Sequence, residues 1–101
     1  MFEMTEQQKR QLAELCRRFE VKRLDLFGSA TTDEFKAESD LDFVVEFVPE
    51  GWEGAADRYF GLLFALEELF GRKIDLVTRR SIRNPFFRRG VESTRRLVYA
   101  A

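Results

Sequence analysis

The chain has 101 residues, of which 45% are hydrophobic, and carries a net charge of −1. We expect a single domain over residues 1–101, since a chain of this size buries roughly two-thirds of its unfolded surface. With no histidine and one cysteine, Cys16, the sequence excludes an internal disulfide and offers no set of zinc ligands. No apolar run approaches the ~20 residues of a membrane span, and the N-terminus lacks the basic start of a signal peptide, so a cytoplasmic protein is expected.

The first half of the chain predicts one helix and two strands. Residues 5–8 resemble a capping box, after which apolar residues recur at helical spacing and form one stripe: Leu12, Leu15, Cys16 and Phe19. A strand follows over 21–27, and a short helix starts at Ser29. A second strand covers 41–47, where apolar residues alternate with polar ones.

The second half predicts a helix, a strand and a further helix. A loop with one proline and two glycines precedes a helix over about 56–70, which Gly71 ends as a C-cap. A third strand covers 73–78, and the Asn-Pro pair at 84–85 starts a terminal helix through about Arg96. The expected fold is a two-layer α/β (α+β) domain, a small mixed sheet packed with helices.

Two aspartates at the start of the second strand suggest a metal-dependent reaction. Side chains two positions apart on a strand share a face, so Asp40 and Asp42 lie roughly 6.5 Å apart along the backbone. Like charges at that spacing repel, and a divalent cation such as Mg²⁺, bound together with substrate phosphates, removes the conflict. The alternative is the solvated outer face of an edge strand.

Gly28 and Ser29 close the first strand and offer a place for phosphates. Gly28 would let the backbone approach a triphosphate, while Ser29 would present its N–H and hydroxyl at a helix start. The alternative is an ordinary turn glycine. A nucleophilic serine is disfavoured because the chain has no histidine and no Gly-x-Ser-x-Gly turn, and no P-loop motif occurs.

Gly28-Ser29, ten intervening residues and then Asp40-x-Asp42 resemble the active-site motif of the DNA polymerase beta-type nucleotidyltransferase superfamily. Most of the chain is similar to its minimal nucleotidyltransferase (MNT) branch. The resemblance implies the nucleotidyltransferase fold and a third metal-site carboxylate on a later strand, which Asp75 fits. An exposed Asp on an edge strand is the alternative for that residue.

The resemblance also implies an activity. Asp40, Asp42 and Asp75 would be the catalytic and metal-binding residues, Gly28 and Ser29 would bind the nucleotide, and AMP would pass from ATP with Mg²⁺ to a hydroxyl. MNT proteins are typically antitoxins that transfer AMP to a tyrosine of HEPN-domain ribonuclease toxins, so a HEPN toxin is the expected partner.

One departure from the family pattern leaves alternatives open. Many relatives carry arginines just after Gly-Ser, where this chain has Ala-Thr-Thr-Asp at 30–33, which removes a phosphate contact. A non-catalytic subunit that covers its partner's site is therefore a second hypothesis. A third is a nucleotidyltransferase that acts on tRNA ends or on a small molecule such as an aminoglycoside.

Two further features concern partners. The helix over 57–70 is apolar on nearly all sides, which indicates either deep burial or a homo- or hetero-oligomeric contact. Trp52, in the preceding loop, either packs within the protein or contacts a partner or a nucleotide base. Charge is also uneven, −8 over residues 1–71 and +7 over 72–101. The arginines of the second segment either pair internally or bind a partner, and few aromatic residues accompany them, which favours an acidic protein over RNA.

Overall fold

The computed structural model describes all 101 residues. Its helices and strands are, in chain order, α1 (Glu6–Arg18), β1 (Val21–Phe27), β2 (Leu41–Phe47), α2 (Ala55–Phe70), β3 (Ile74–Thr78), α3 (Pro85–Thr94) and β4 (Arg96–Ala100). The strands form one sheet in the order β3-β2-β1-β4, in which β2 and β3 are parallel and the other pairs are antiparallel. The predicted mixed sheet packed with helices is confirmed. None of the helices combines the length and the apolar character needed to cross a membrane.

The end of the chain differs from the prediction. The terminal helix was expected to continue to about Arg96, but α3 ends at Thr94 and a fourth strand follows. This strand pairs with β1 in a register that sets Leu26 opposite Arg96. Because β4 gains its backbone hydrogen bonds from a strand about 70 residues earlier, no local pattern reveals it.

Helix capping follows the sequence signals. Thr5 accepts a hydrogen bond from the Gln8 N–H while the Gln8 side chain accepts one from the Thr5 N–H, so the capping box is confirmed. Asn84 caps α3 by accepting from two backbone N–H groups of its first turn. Gly71 ends α2 in the left-handed conformation at φ +63°.

The main core lies between one face of the sheet and the helices α1 and α2. Thirteen buried residues form it, and Cys16 is one of them, as predicted. α2 contributes Leu62 and Leu66 to this core but leaves Phe60 and Phe64 exposed, with their rings stacked 6.2 Å apart. The all-round apolar character of this helix therefore reflects one buried and one exposed apolar side.

The opposite face of the sheet carries α3 and a second, smaller core. That cluster consists of Phe27, Val44, Ile82 and Val91. α3 lies against β1 and the turn that follows it. The residues at the start of β2 and β3 on this same face include a half-buried and an exposed aspartate, so this region is the place to look for a site.

Candidate active site

Two of the sequence-predicted acids are brought side by side by the parallel pairing of β2 with β3. Asp42 and Asp75 are direct register partners, so their side chains lie on the same face of adjacent strands. Asp42 is half-buried and Asp75 is exposed. Neither carboxylate takes part in an ion pair within the protein.

The electrostatics of Asp42 reflect burial and this crowding of negative charge. Burial, together with the charges of Asp75 and Asp40, raises the pKa of Asp42 from its ordinary value of 3.8 to about 6. An unpaired carboxylate with a raised pKa in a partly open site is typical of a functional group that awaits a cation or a proton. A divalent cation would relieve the repulsion that the protein leaves in place.

Asp40 stands slightly apart from this pair. It precedes β2, its side chain is exposed, and the nearest cation, the Lys73 Nζ, lies 3.9 Å from its Oδ2. No three acidic, histidine or cysteine side chains come close enough together to hold a metal ion by themselves. Mg²⁺ ordinarily binds one or two carboxylates and completes its shell with water and substrate phosphates, and the Asp42–Asp75 pair fits that donor set.

Gly28 lies against Asp42, and any larger residue at this position would displace the carboxylate. Its φ is +71°, and a Cβ added there would come within 2.7 Å of the Asp42 Oδ2. The pairing of β1 with β2 sets Phe27 opposite Asp42, which brings the next residue to the carboxylate. The absence of a side chain thus lets the Asp42 carboxylate approach the backbone of the Gly28-Ser29 corner closely.

The expected short helix after this corner is a single 3-10 turn, Gly28–Thr31. Ser29 is half-buried in it, and its carbonyl accepts hydrogen bonds from the N–H and the hydroxyl of Thr32. No side-chain hydrogen bond within the protein uses the Ser29 hydroxyl. A turn of four residues has little macrodipole, so local N–H and hydroxyl donors matter more here than a helix N-terminus.

Sequence reasoning missed a residue that holds the corner in place. The Gly28 N–H donates to the Thr94 Oγ1 at 2.9 Å, and the Thr94 hydroxyl in turn donates to the Gly90 carbonyl at 2.8 Å. The first bond connects residues 66 positions apart, from the turn after β1 to the last turn of α3. No local signal in the sequence points to it.

A second missed residue is Asp25, the only fully buried charged side chain. Arg23 reaches it through two hydrogen bonds, at 3.0 and 3.2 Å, and the Arg95 guanidinium donates to its Oδ2. Arg95 also pairs with Glu92 at 2.8 Å. These contacts attach the end of α3 to β1 behind the corner. An Asp within an apolar strand was the available signal.

The nucleotidyltransferase domain model matches residues 8–98. The chain belongs to the nucleotidyltransferase family. It is 37% identical over 82 residues to MJ1379 of Methanocaldococcus jannaschii, which is named as a candidate protein adenylyltransferase, and the match covers 81% of this chain and 79% of that protein. It is also 34% identical to the protein adenylyltransferase MntA of Thermococcus cleftensis, over 70% of this chain and 69% of that one. The chain is thus a nucleotidyltransferase enzyme.

Solved structures support the same fold. A candidate minimal nucleotidyltransferase superposes with a TM-score of 0.71 and 31% identity, covering 89% of this chain and 88% of that one. The complex of a tri-AMPylated HEPN toxin with an MNT antitoxin from Shewanella oneidensis contains a chain that superposes with a TM-score of 0.66. That match has 18% identity and covers 97% of this nucleotidyltransferase and 74% of the other chain. The predicted nucleotidyltransferase fold is confirmed.

Proposed function

We propose that this nucleotidyltransferase transfers AMP from ATP, with Mg²⁺, to a hydroxyl group of a partner protein. The observation that carries the proposal is the Asp42–Asp75 pair beside Gly28. It combines two adjacent carboxylates that lack cationic partners with a glycine backbone that approaches one of them closely. Asp40 adds a third negative charge nearby.

The side chains divide the work between metal and nucleotide. Asp42 and Asp75 would hold the metal ion, and Asp40 would join them once its weak contact with Lys73 is displaced. Gly28 and Ser29 would bind the phosphates through backbone N–H groups and the serine hydroxyl. Mg²⁺, when bound, supplies positive charge that stabilises the phosphoryl oxygens of the transition state.

The transfer itself exchanges one bond at the α-phosphorus for another. The acceptor oxygen attacks this phosphorus, the bond to the oxygen that bridges the α- and β-phosphates breaks, and pyrophosphate leaves. The hydroxyl proton passes to the Asp75 carboxylate, which is exposed on the open side of the pair and within reach of an incoming group. Asp42, deeper in the site, keeps its charge for the metal.

We assign the acceptor to a protein on the basis of the relatives. MJ1379 and MntA, both at least 34% identical, carry the name of protein adenylyltransferase. One superposed chain comes from the complex of a tri-AMPylated HEPN toxin with an MNT antitoxin, and another comes from a toxin-antitoxin complex with AMP-PNP. We therefore propose that this protein is the antitoxin of a HEPN-domain toxin and neutralises it by AMP transfer to a tyrosine.

The test combines the purified protein, the product of the adjacent gene, Mg²⁺ and ATP labelled at the α-phosphate. Label on a tyrosine of the partner is the expected result, and it should vanish with EDTA or with the double variant Asp40→Asn/Asp42→Asn. A tight complex without label would instead identify a subunit that only covers its partner. Label on added tRNA, with none on the protein, would move the acceptor to nucleic acid.

A further inference from the structure

A narrow cleft lies beside β2, near the catalytic carboxylates. Val44 lies two residues beyond Asp42 on the same face of the strand, roughly 6.5 Å away. It lines a cleft of about 280 Å³ together with Arg79, Arg88, Arg95 and Glu92. The cleft therefore lies close to the open site, and three of its four charged residues are basic.

A wider groove of about 950 Å³ lies at the far end of β2 and β3, beside the start of α2. Its rim carries two large exposed side chains, Trp52, which is 88% exposed, and Phe60, which is 51% exposed. Arg58 lines the same groove, and its Nε is buried without any hydrogen-bond partner. Buried polar atoms without partners are rare in folded proteins.

The cleft and the groove are neighbours along β2. Arg79, Ile82 and Arg88 line both of them. We call the combined feature the basic channel, and it runs from Trp52 at one end to the surroundings of Asp42 at the other. Its course follows β2, which spans about 20 Å over its seven residues.

The charge and the polarity of the basic channel identify its occupant. Seven cationic and three anionic side chains line it, and nine of the twenty residues around the groove are hydrophobic. Arg79 is paired with Glu46 at 3.3 Å, whereas Arg83 and Arg88 are exposed and form no ion pair. The carboxylates of Glu46 and Glu50 and the apolar walls disfavour a nucleic acid backbone, which would put a phosphate at every step.

We propose that the basic channel binds an extended acidic segment of the protein acceptor, a proposal that rests on the protein acceptor named above. Carboxylates of that segment pair with Arg83 and Arg88, while its apolar side chains pack on Trp52 and Phe60. The segment leads toward Asp42, so a hydroxyl at its end reaches the open site. α3 and the segment before it thus provide arginines near the site, whereas the turn after Gly28-Ser29 contains none.

The experiment uses two double variants that remove equal charge. Arg83→Gln/Arg88→Gln changes the basic channel, whereas Arg18→Gln/Arg89→Gln removes two exposed arginines that lie outside it. All four side chains are exposed, so both proteins should fold. The probes are a fluorescent peptide of about ten residues, alternating Glu and Leu with one Tyr and about 30 Å long when extended, its Lys counterpart, and an oligouridine of similar length.

Fluorescence anisotropy should show that the unaltered protein binds the acidic peptide and not the Lys peptide. Arg83→Gln/Arg88→Gln should weaken that binding by about fivefold to tenfold, and the control double variant should leave it within about twofold. Trp52→Ala should weaken it as well. Equal losses in both double variants, tighter binding of oligouridine, or no peptide binding at all would overturn the proposal.

A parallel measurement separates this proposal from the proposed function. ATP binding with Mg²⁺ and AMP transfer to the full partner protein are assayed with the same variants. If transfer occurs but its KM for the partner is unchanged in Arg83→Gln/Arg88→Gln, the acceptor docks elsewhere and the proposed function stands. If no transfer occurs while the acidic peptide still binds, the basic channel stands and the assigned activity falls.

Discussion

Asp25 and Asp42 lie on the same face of the sheet in neighbouring strands, yet their surroundings are opposite. Asp25 is fully buried, and two arginines pair with it. Asp42 is half-buried and has no cationic partner, and its nearest charged neighbours are two further carboxylates. The first region is complete within the protein, whereas the second needs a ligand to balance its charge.

The contrast shows how two acids on one surface acquire different roles. A buried carboxylate with a full set of partners fixes geometry, since removing either partner leaves an uncompensated charge. A carboxylate left among like charges stores repulsion, which a cation with its phosphates can relieve. Five predictions, ordered from the largest expected effect to the smallest, test this difference in roles.

Asp42→Asn should reduce AMP transfer by about 10³-fold or more, because it removes a proposed ligand of the metal that would stabilise the transition state. The free energy of unfolding should stay the same or rise slightly, since the substitution removes repulsion. Transfer assays with labelled ATP and urea denaturation of the metal-free protein measure both quantities. Retained transfer, or a large loss of stability, would mean that Asp42 has a structural role like that of Asp25.

Asp25→Asn should lower the free energy of unfolding by about 3–5 kcal/mol, because two arginines would lose their buried counter-ion. Urea denaturation gives the value. Glu14→Gln, an exposed acid of α1 with no ion pair, is the matched control and should change stability by less than about 0.5 kcal/mol. A stable Asp25→Asn protein that has lost AMP transfer would instead make Asp25 a member of the site.

Gly28→Ala should reduce transfer by about a hundredfold, because the new methyl group displaces the Asp42 carboxylate and catalysis is sensitive to shifts near 1 Å. Gly71→Ala separates this displacement from backbone strain. Gly71 has a similar φ of +63° with nothing near its Cβ position, so its replacement strains the chain without touching Asp42. Equal activity of the two variants would mean that the close approach of Gly28 to Asp42 is not needed for transfer.

The pKa of Asp42 predicts an acid-dependent stability of the metal-free protein. Between pH 3.8, the ordinary pKa of an aspartate, and about pH 6, Asp42 is protonated more often in the folded state than in the unfolded state. The contribution of Asp42 to the free energy of unfolding therefore falls as pH rises through that range, and the fall should disappear in Asp42→Asn. An NMR titration should also show a lower pKa of Asp42 in Asp75→Asn, and an unchanged pKa would mean that the two carboxylates do not interact.

Thr94→Val should cost about 1–2 kcal/mol of folding free energy and raise the KM for ATP a few-fold, since the Gly28 N–H loses its acceptor. Thr94→Ser keeps the hydroxyl and should restore both values. Denaturation and steady-state kinetics provide the comparison. Unchanged values in Thr94→Val would show that the hydrogen bond to the corner does not contribute, and losses in Thr94→Ser would show that the methyl group of Thr94 matters.

The sequence predicted those parts of the molecule whose evidence is local. The bounds of β1 and β2 agree with the prediction, because the apolar residues that identify each strand lie within seven consecutive positions. The family resemblance suggested only that a carboxylate on a later strand joins the site, and the register of β2 with β3 sets Asp75 beside Asp42. The assignment of these acids to metal and catalysis stays a prediction.

The parts that the sequence did not reveal all depend on distant partners. Asp25 is buried by Arg95, which is 70 positions later, and β4 exists as a strand because β1 offers a free edge. In isolation, an Asp flanked by leucines and a short run such as 96–100 have several equally good local conformations. Only the packing of α3 and β4 against β1 decides between them.

The bond between Thr94 and the Gly28 N–H also bears on how the protein matures during synthesis. A ribosome adds residues from the N-terminus, so Gly28 and both strands that flank it emerge well before Thr94 and β4. Contacts that close such long loops form late. A nascent chain would therefore carry its acids before the glycine turn is anchored, and competence for nucleotidyl transfer would arrive only after Thr94 and β4 have left the exit tunnel.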